Sequence, residues 1–147
     1  MTDYLHVELP REELMNVSAL GLAHVGDCVY ELMVRSWTVC HGHTGAGDMH
    51  RVKEQYVTAA SQQAALERVT PLLTDEEAAV CRRGRNAHVN SVPRHATLSQ
   101  YHAATALECL FGWLYLRGEH ARLGELFAVI VEPGSGLETA QDKCFAE

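Results

Sequence analysis

Two carboxylates stand where a helix surface does not explain them. Asp27 sits beside a glycine in the otherwise mostly apolar run Gly26-Asp27-Cys28-Val29-Tyr30-Glu31-Leu32, and Glu108 is the lone charge between Ala103 and Leu116. Burying an ionised carboxylate is costly, so such a group raises its pKa, pairs with a cation or ligates a metal. One helical turn away from Asp27 lie Ala23, His24, Tyr30 and Glu31; around Glu108 lie Ala104, Thr105, Phe111 and Gly112. Neither acid has a lysine or arginine at ion-pair spacing. Two such acids, converging from distant helices, suit Mg2+, which takes one or two protein carboxylates and fills its octahedron with water and phosphate oxygens. Mn2+ prefers the same ligands and can substitute. An ion held this way activates a water and stabilises charge on phosphate and leaving oxygen, which is the chemistry of phosphodiester hydrolysis. Asp27 and Glu108 are therefore the candidate catalytic and metal-binding pair. Gly26 and Gly112, one beside the first acid and one a turn beyond the second, would let helices or a substrate backbone approach closely. Glu31 needs no such explanation, because it precedes Arg35 by four residues, the favourable order for a helical ion pair.

The net charge of -7 argues against a polyanionic partner, but its distribution argues the other way. From Ala78 through Leu107 there is no Asp or Glu, while Arg82, Arg83, Arg85 and Arg94 fall there with His88, His95 and His102. Arginines near the Glu108 helix can hold a phosphate backbone by charge-assisted contacts. We take Arg82, Arg83, Arg85, Asn86, His88 and Arg94 as the candidate RNA-binding residues, with Gln62 and Gln63 in reach of a sugar hydroxyl. A solvated basic face without a ligand is the plainer alternative. His41, His43 and His50 form a possible second metal cluster, though no acid or cysteine at ligand spacing supports it.

Apolar residues return every three or four positions and no run alternates with period two, so the fold should be all-α. A long helix from Val17 to about Cys40 carries Asp27, with Leu20, Val25, Val29, Leu32, Met33 and Val39 as its expected buried face. Gly42 to Gly47 reads as a loop, and a single helix from about Met49 to Val69 follows. Thr74-Asp75-Glu76-Glu77 has the form of a capping box opening a short helix that stops near Arg83-Gly84. Arg85 to Pro93 reads as an irregular basic loop. A helix from about Thr97 or Ser99 to Arg117, ended by Gly118, carries Glu108, and a last helix spans roughly Glu119 to Val131.

With 147 residues and 47% hydrophobic content, the chain fits one domain, 1–147, with a core over about 14–132 and a loose tail from 133. The longest apolar stretch, Cys109 to Leu116, is far short of the roughly 20 residues of a membrane span. The polar N-terminus does not read as a signal peptide. The five cysteines are odd in number and unclustered, as expected of reduced thiols, so a cytoplasmic protein is expected.

Three stretches together resemble ribonuclease III catalytic domains, and most closely the short form called Mini-ribonuclease III: Leu22-Ala-His-Val-Gly-Asp27-Cys-Val-Tyr-Glu31, Arg82-Arg-Gly-Arg-Asn86-Ala, and Leu107-Glu108-Cys-Leu-Phe-Gly-Trp-Leu-Tyr-Leu116. The resemblance covers Ala19 to about Val131. It implies a helical bundle forming a homodimer, an endoribonuclease that uses magnesium to cut double-stranded RNA and leaves a 5′-phosphate, with Asp27 and Glu108 on retained metal-binding acids. Longer members of the family carry further acids at the positions of Ala23 and Thr105, and append a separate RNA-binding domain that is not expected here. Both departures match the short form, whose implied substrate is precursor 23S ribosomal RNA, with a ribosomal protein as a possible helper. Two other readings compete with this one. A catalytically silent domain that holds structured RNA would not need both acids, and a helical nucleotide pyrophosphohydrolase would show ExxE pairs near them.

Overall fold

The computed structural model describes residues 1–88 and 91–132, and every regular element among them is helical. In chain order these are α1 (Arg11–Met15), α2 (Ala19–Cys40), α3 (Ala46–Val57), α4 (Ala59–Val69), a single 3-10 turn (Thr70–Leu72), α5 (Asp75–Arg85), α6 (Leu98–Leu116) and α7 (His120–Val131). The expected tail from 133 lies outside the described residues.

The organising element is α6. A helix apolar all round must be surrounded, and α6 buries Ala103 through Leu107, Cys109 through Gly112, Leu114 and Leu116. Its start is set by a capping box in which Thr97 accepts from the Gln100 amide and Gln100 accepts from that of Thr97. Gly118, at φ 77°, ends the turn after it in the left-handed region that glycine adopts without strain. Packed around α6 are α2, α4 and α5, with α7 against its far end. Tyr30 of α2 closes the centre: its ring meets Phe111 edge-on at 5.3 Å, and its hydroxyl donates to the Tyr56 carbonyl at 2.9 Å.

Three expectations are corrected. The buried face of α2 is Leu22, Ala23, Gly26, Tyr30, Val34 and Thr38, whereas Leu20, Leu32 and Val39 are exposed. The helix is apolar on two sides, and the inner one is the side that carries Gly26, where α6 passes too close for any side chain. The helix expected over Met49 to Val69 is two helices, broken where Thr58 turns extended and its hydroxyl caps the Ser61 amide. Gly84 is not a stop, since α5 runs on to Arg85 and caps at Asn86. It is buried because a Cβ there would lie 2.8 Å from Cys109 Sγ and 2.9 Å from the Ala106 Cα. The Thr74–Glu77 capping box is present as expected.

Candidate active site

The site starts from backbone contact. Gly26 and Gly112 face each other where α2 crosses α6: a Cβ on Gly26 would collide with the Glu108 carbonyl, and one on Gly112 with the Leu22 carbonyl. No side chain fits between the helices at this point, so the glycines serve helix packing rather than access for a substrate. Cys109 locks the same crossing by donating its thiol to the Ala19 carbonyl at 3.1 Å. The residue after Gly26 is Asp27, which the crossing carries to the margin of the contact, within electrostatic reach of Glu108.

The two acids differ in surroundings. Asp27 is on the exposed rim and Glu108 is partly covered. Burial, followed by the Asp27 charge, pushes the Glu108 carboxyl up to about 7, while a hydrogen bond from Gln62 opposes the rise. Asp27 is also raised, by partial burial and then by Glu31, with His24 pulling the other way. Two acids that each resist ionisation, on rigid helices and opening to solvent, make an oxygen donor set that a divalent cation would relieve. The residues present fit Mg2+ or Mn2+ in this sense. Ala23 has no side-chain oxygen, and Thr105 is buried with its hydroxyl donating to the Tyr101 carbonyl of its own helix at 3.0 Å.

Glu31 bridges Arg35 at 2.6 Å, as its spacing predicts, and also faces Lys53 of α3 at 3.7 Å. The histidine cluster does not assemble: His41 bonds the Trp37 carbonyl, His43 pairs with Asp48, and no group of three metal-ligating side chains forms among the described residues.

Arg82, Arg83, Arg85, Asn86, His88 and Arg94 are all exposed. The three arginines of α5 end a helix that begins Asp75-Glu76-Glu77, so they also complement its dipole. Gly84 seats this basic end against Ala106 and Cys109 of α6, and Arg83 lies within electrostatic reach of Cys109. The Arg83 guanidinium also donates to the Val17 carbonyl at 2.9 Å, tying α5 to the entry of α2. Gln63 bonds Ser99 at 3.3 Å. Gln62 does not reach solvent as expected. It is 3% exposed and turned inward toward Glu108, a contact that intrahelical spacing does not reveal.

Comparison with known proteins identifies the family of this fold. The ribonuclease III domain family matches residues 20–119, the span from the start of α2 to the end of the turn after α6. A Mini-ribonuclease 3 from Symbiobacterium thermophilum is 40% identical over 76% of this chain and 86% of its own, and one from Synechocystis is 42% identical over 82% of each. A crystal structure of a protein from Fusobacterium nucleatum superposes with a TM-score of 0.74 at 25% identity, covering 79% of this chain and 94% of that one. Ribonuclease III enzymes generally depend on divalent metal. The pyrophosphohydrolase and silent-domain readings give way: the chain belongs to the Mini-ribonuclease 3 family, ribonuclease III-type endoribonucleases.

Proposed function

We propose that this chain is a Mg2+-dependent endoribonuclease for double-stranded RNA, that Asp27 and Glu108 hold its metal, and that precursor 23S ribosomal RNA is the substrate. The observation that carries the site is the glycine-on-backbone crossing of α2 and α6, which sets Asp27 beside Glu108 and raises Glu108 to about 7. When bound, the metal supplies an activated water and charge neutralisation at the scissile phosphate. The chain's own part is positional. Glu108 offers a partly desolvated carboxylate from the wall of the site, Asp27 an open one from its rim, and the two helices keep their separation fixed. Arg82, Arg83, Arg85 and Arg94, with Asn86 and His88, lie toward the RNA backbone and hold phosphates by charge-assisted contacts. Hydrolysis leaves a 5′-phosphate.

A homodimer completes the proposal, one site for each strand. The exposed arc of α2 supports it: Cys28, Leu32 and Val39 share one side of the helix and are open to solvent among the described residues of a single chain. A ribosomal protein that presents the RNA is compatible with a catalytic domain that binds its substrate without a dedicated RNA-binding module. No described helix is long and apolar enough to cross a membrane.

End-labelled double-stranded RNA, incubated with Mg2+ or with chelator, tests the reading. Discrete cuts are expected with Mg2+ alone, and Asp27→Asn and Glu108→Gln each abolish them while remaining folded. Full activity in both variants would refute the site. Binding without cleavage by the wild type would leave a silent RNA-binding domain.

A further inference from the structure

Glutamine 62 is neutral, yet it occupies a position where an apolar side chain would pack without cost. It is 3% exposed, in the opening turn of α4 just after the break at Thr58, and its amide N–H donates to the Val57 carbonyl at 3.4 Å. The side chain also lies near enough to the Glu108 carboxyl to oppose the rise in its pKa. The amide oxygen, by contrast, is buried with no partner among the described residues. A stranded buried acceptor is destabilising, so the group needs a reason to be there. A primary amide has two donors and one acceptor oxygen, and a backbone carbonyl and an ionised carboxylate both accept. Turning the NH2 end toward them leaves the oxygen without a partner.

We propose that Gln62 is a positioning residue for Glu108: its amide, braced on the Val57 carbonyl, holds the carboxylate from the protein side and fixes which oxygen is presented to the metal. This rests on the reading of Asp27 and Glu108 as metal ligands. Groups that orient a ligating carboxylate typically change metal affinity or activity by about 10- to 100-fold when removed. The break at Thr58 has a role in this, because it starts a new helix at the position from which residue 62 meets α6.

The test is Mn2+ binding followed by electron paramagnetic resonance without RNA, for the wild type, Gln62→Met, Gln62→Leu and Glu108→Gln. Both Gln62 substitutions keep an apolar side chain of similar size. The expected result is Mn2+ binding weakened about tenfold or more, with the metal-free protein folded and no less stable to heat than the wild type, and RNA binding in chelator unchanged. Wild-type Mn2+ affinity in either folded Gln62 variant overturns the proposal, as does unfolding of both, which would make Gln62 a packing residue. If Glu108→Gln binds Mn2+ as tightly as the wild type, the metal-site reading itself fails, and the role of Gln62 with it.

Discussion

A single carboxyl group links stability, metal and pH in this protein. Glu108 has an ordinary pKa of 4.5 and is pushed up to about 7 by burial and by Asp27. Between those values the folded chain retains a proton that the unfolded chain has lost, so stability falls as pH rises through the window and levels off above it. The total is about 3 kcal/mol. Without metal at about pH 8, Glu108→Gln should therefore unfold at a higher temperature than the wild type, while near pH 4 the two should coincide. A lower melting temperature for the variant at pH 8 would show that Glu108 is not held against its charge. Metal binding must displace the same proton, so Mn2+ affinity should rise with pH up to about 7 and then flatten. Calorimetric titration in two buffers of different ionisation enthalpy reads that proton directly. At this scale the two acids stand out in the sequence because each lacks a cation one turn away, and the structure brings them within electrostatic reach of each other. Gln62 was not, because its contact joins α4 to α6 and no spacing within one helix encodes it.

Among elements, the crossing of α2 with α6 is the least tolerant feature. Gly26→Ala or Gly112→Ala places a methyl group against a backbone carbonyl of the opposite helix, which cannot move aside as a flexible side chain would. Each should cost about 3 kcal/mol or more, at the upper end of overpacking substitutions, and should lower cleavage further by displacing Asp27 from Glu108. Unchanged melting in both variants would contradict the crossing. The basic end of α5 separates by role. Arg82→Ala and Arg85→Ala should each reduce the salt slope of RNA binding by about 1 and leave stability alone. Arg83→Ala should in addition destabilise by about 1–2 kcal/mol through loss of the charge-assisted bond to the Val17 carbonyl. Identical stability for all three arginine variants would remove that distinction. The element boundaries that sequence patterns missed have different causes. Thr58 breaks a run with uninterrupted helical periodicity through a local cap on Ser61, whereas Gly84 looks like a terminator but is a packing residue, set by Cys109 and Ala106 across the interface.

For the molecule as a whole, α2 exposes apolar side chains that no other element covers among the described residues. Leu20, Leu32 and Val39 are 61%, 62% and 58% exposed on α2. Sedimentation equilibrium should show a dimer, and Leu32→Glu should shift it to monomer with loss of cleavage. A wild-type monomer that cuts RNA at full rate would refute the dimer. The overall charge of -7 should leave little non-specific attraction for nucleic acid at physiological salt, so binding depends on the acid-free stretch from Ala78 to Leu107.

The amino-acid sequence by itself determined the class of fold, the two acids and the basic stretch between them. Helical periodicity, lone charges in apolar runs and the sign of local charge are properties of neighbours along the chain, and they survive without coordinates. The tertiary structure decided the rest: that Leu20, Leu32 and Val39 face outward while Leu22, Gly26, Tyr30 and Val34 face in, that two glycines weld α2 to α6, and that Gln62 is buried near Glu108 instead of at the surface. Each of these depends on how closely one helix backbone approaches another, a distance that steric contact between remote residues sets and that no local pattern carries.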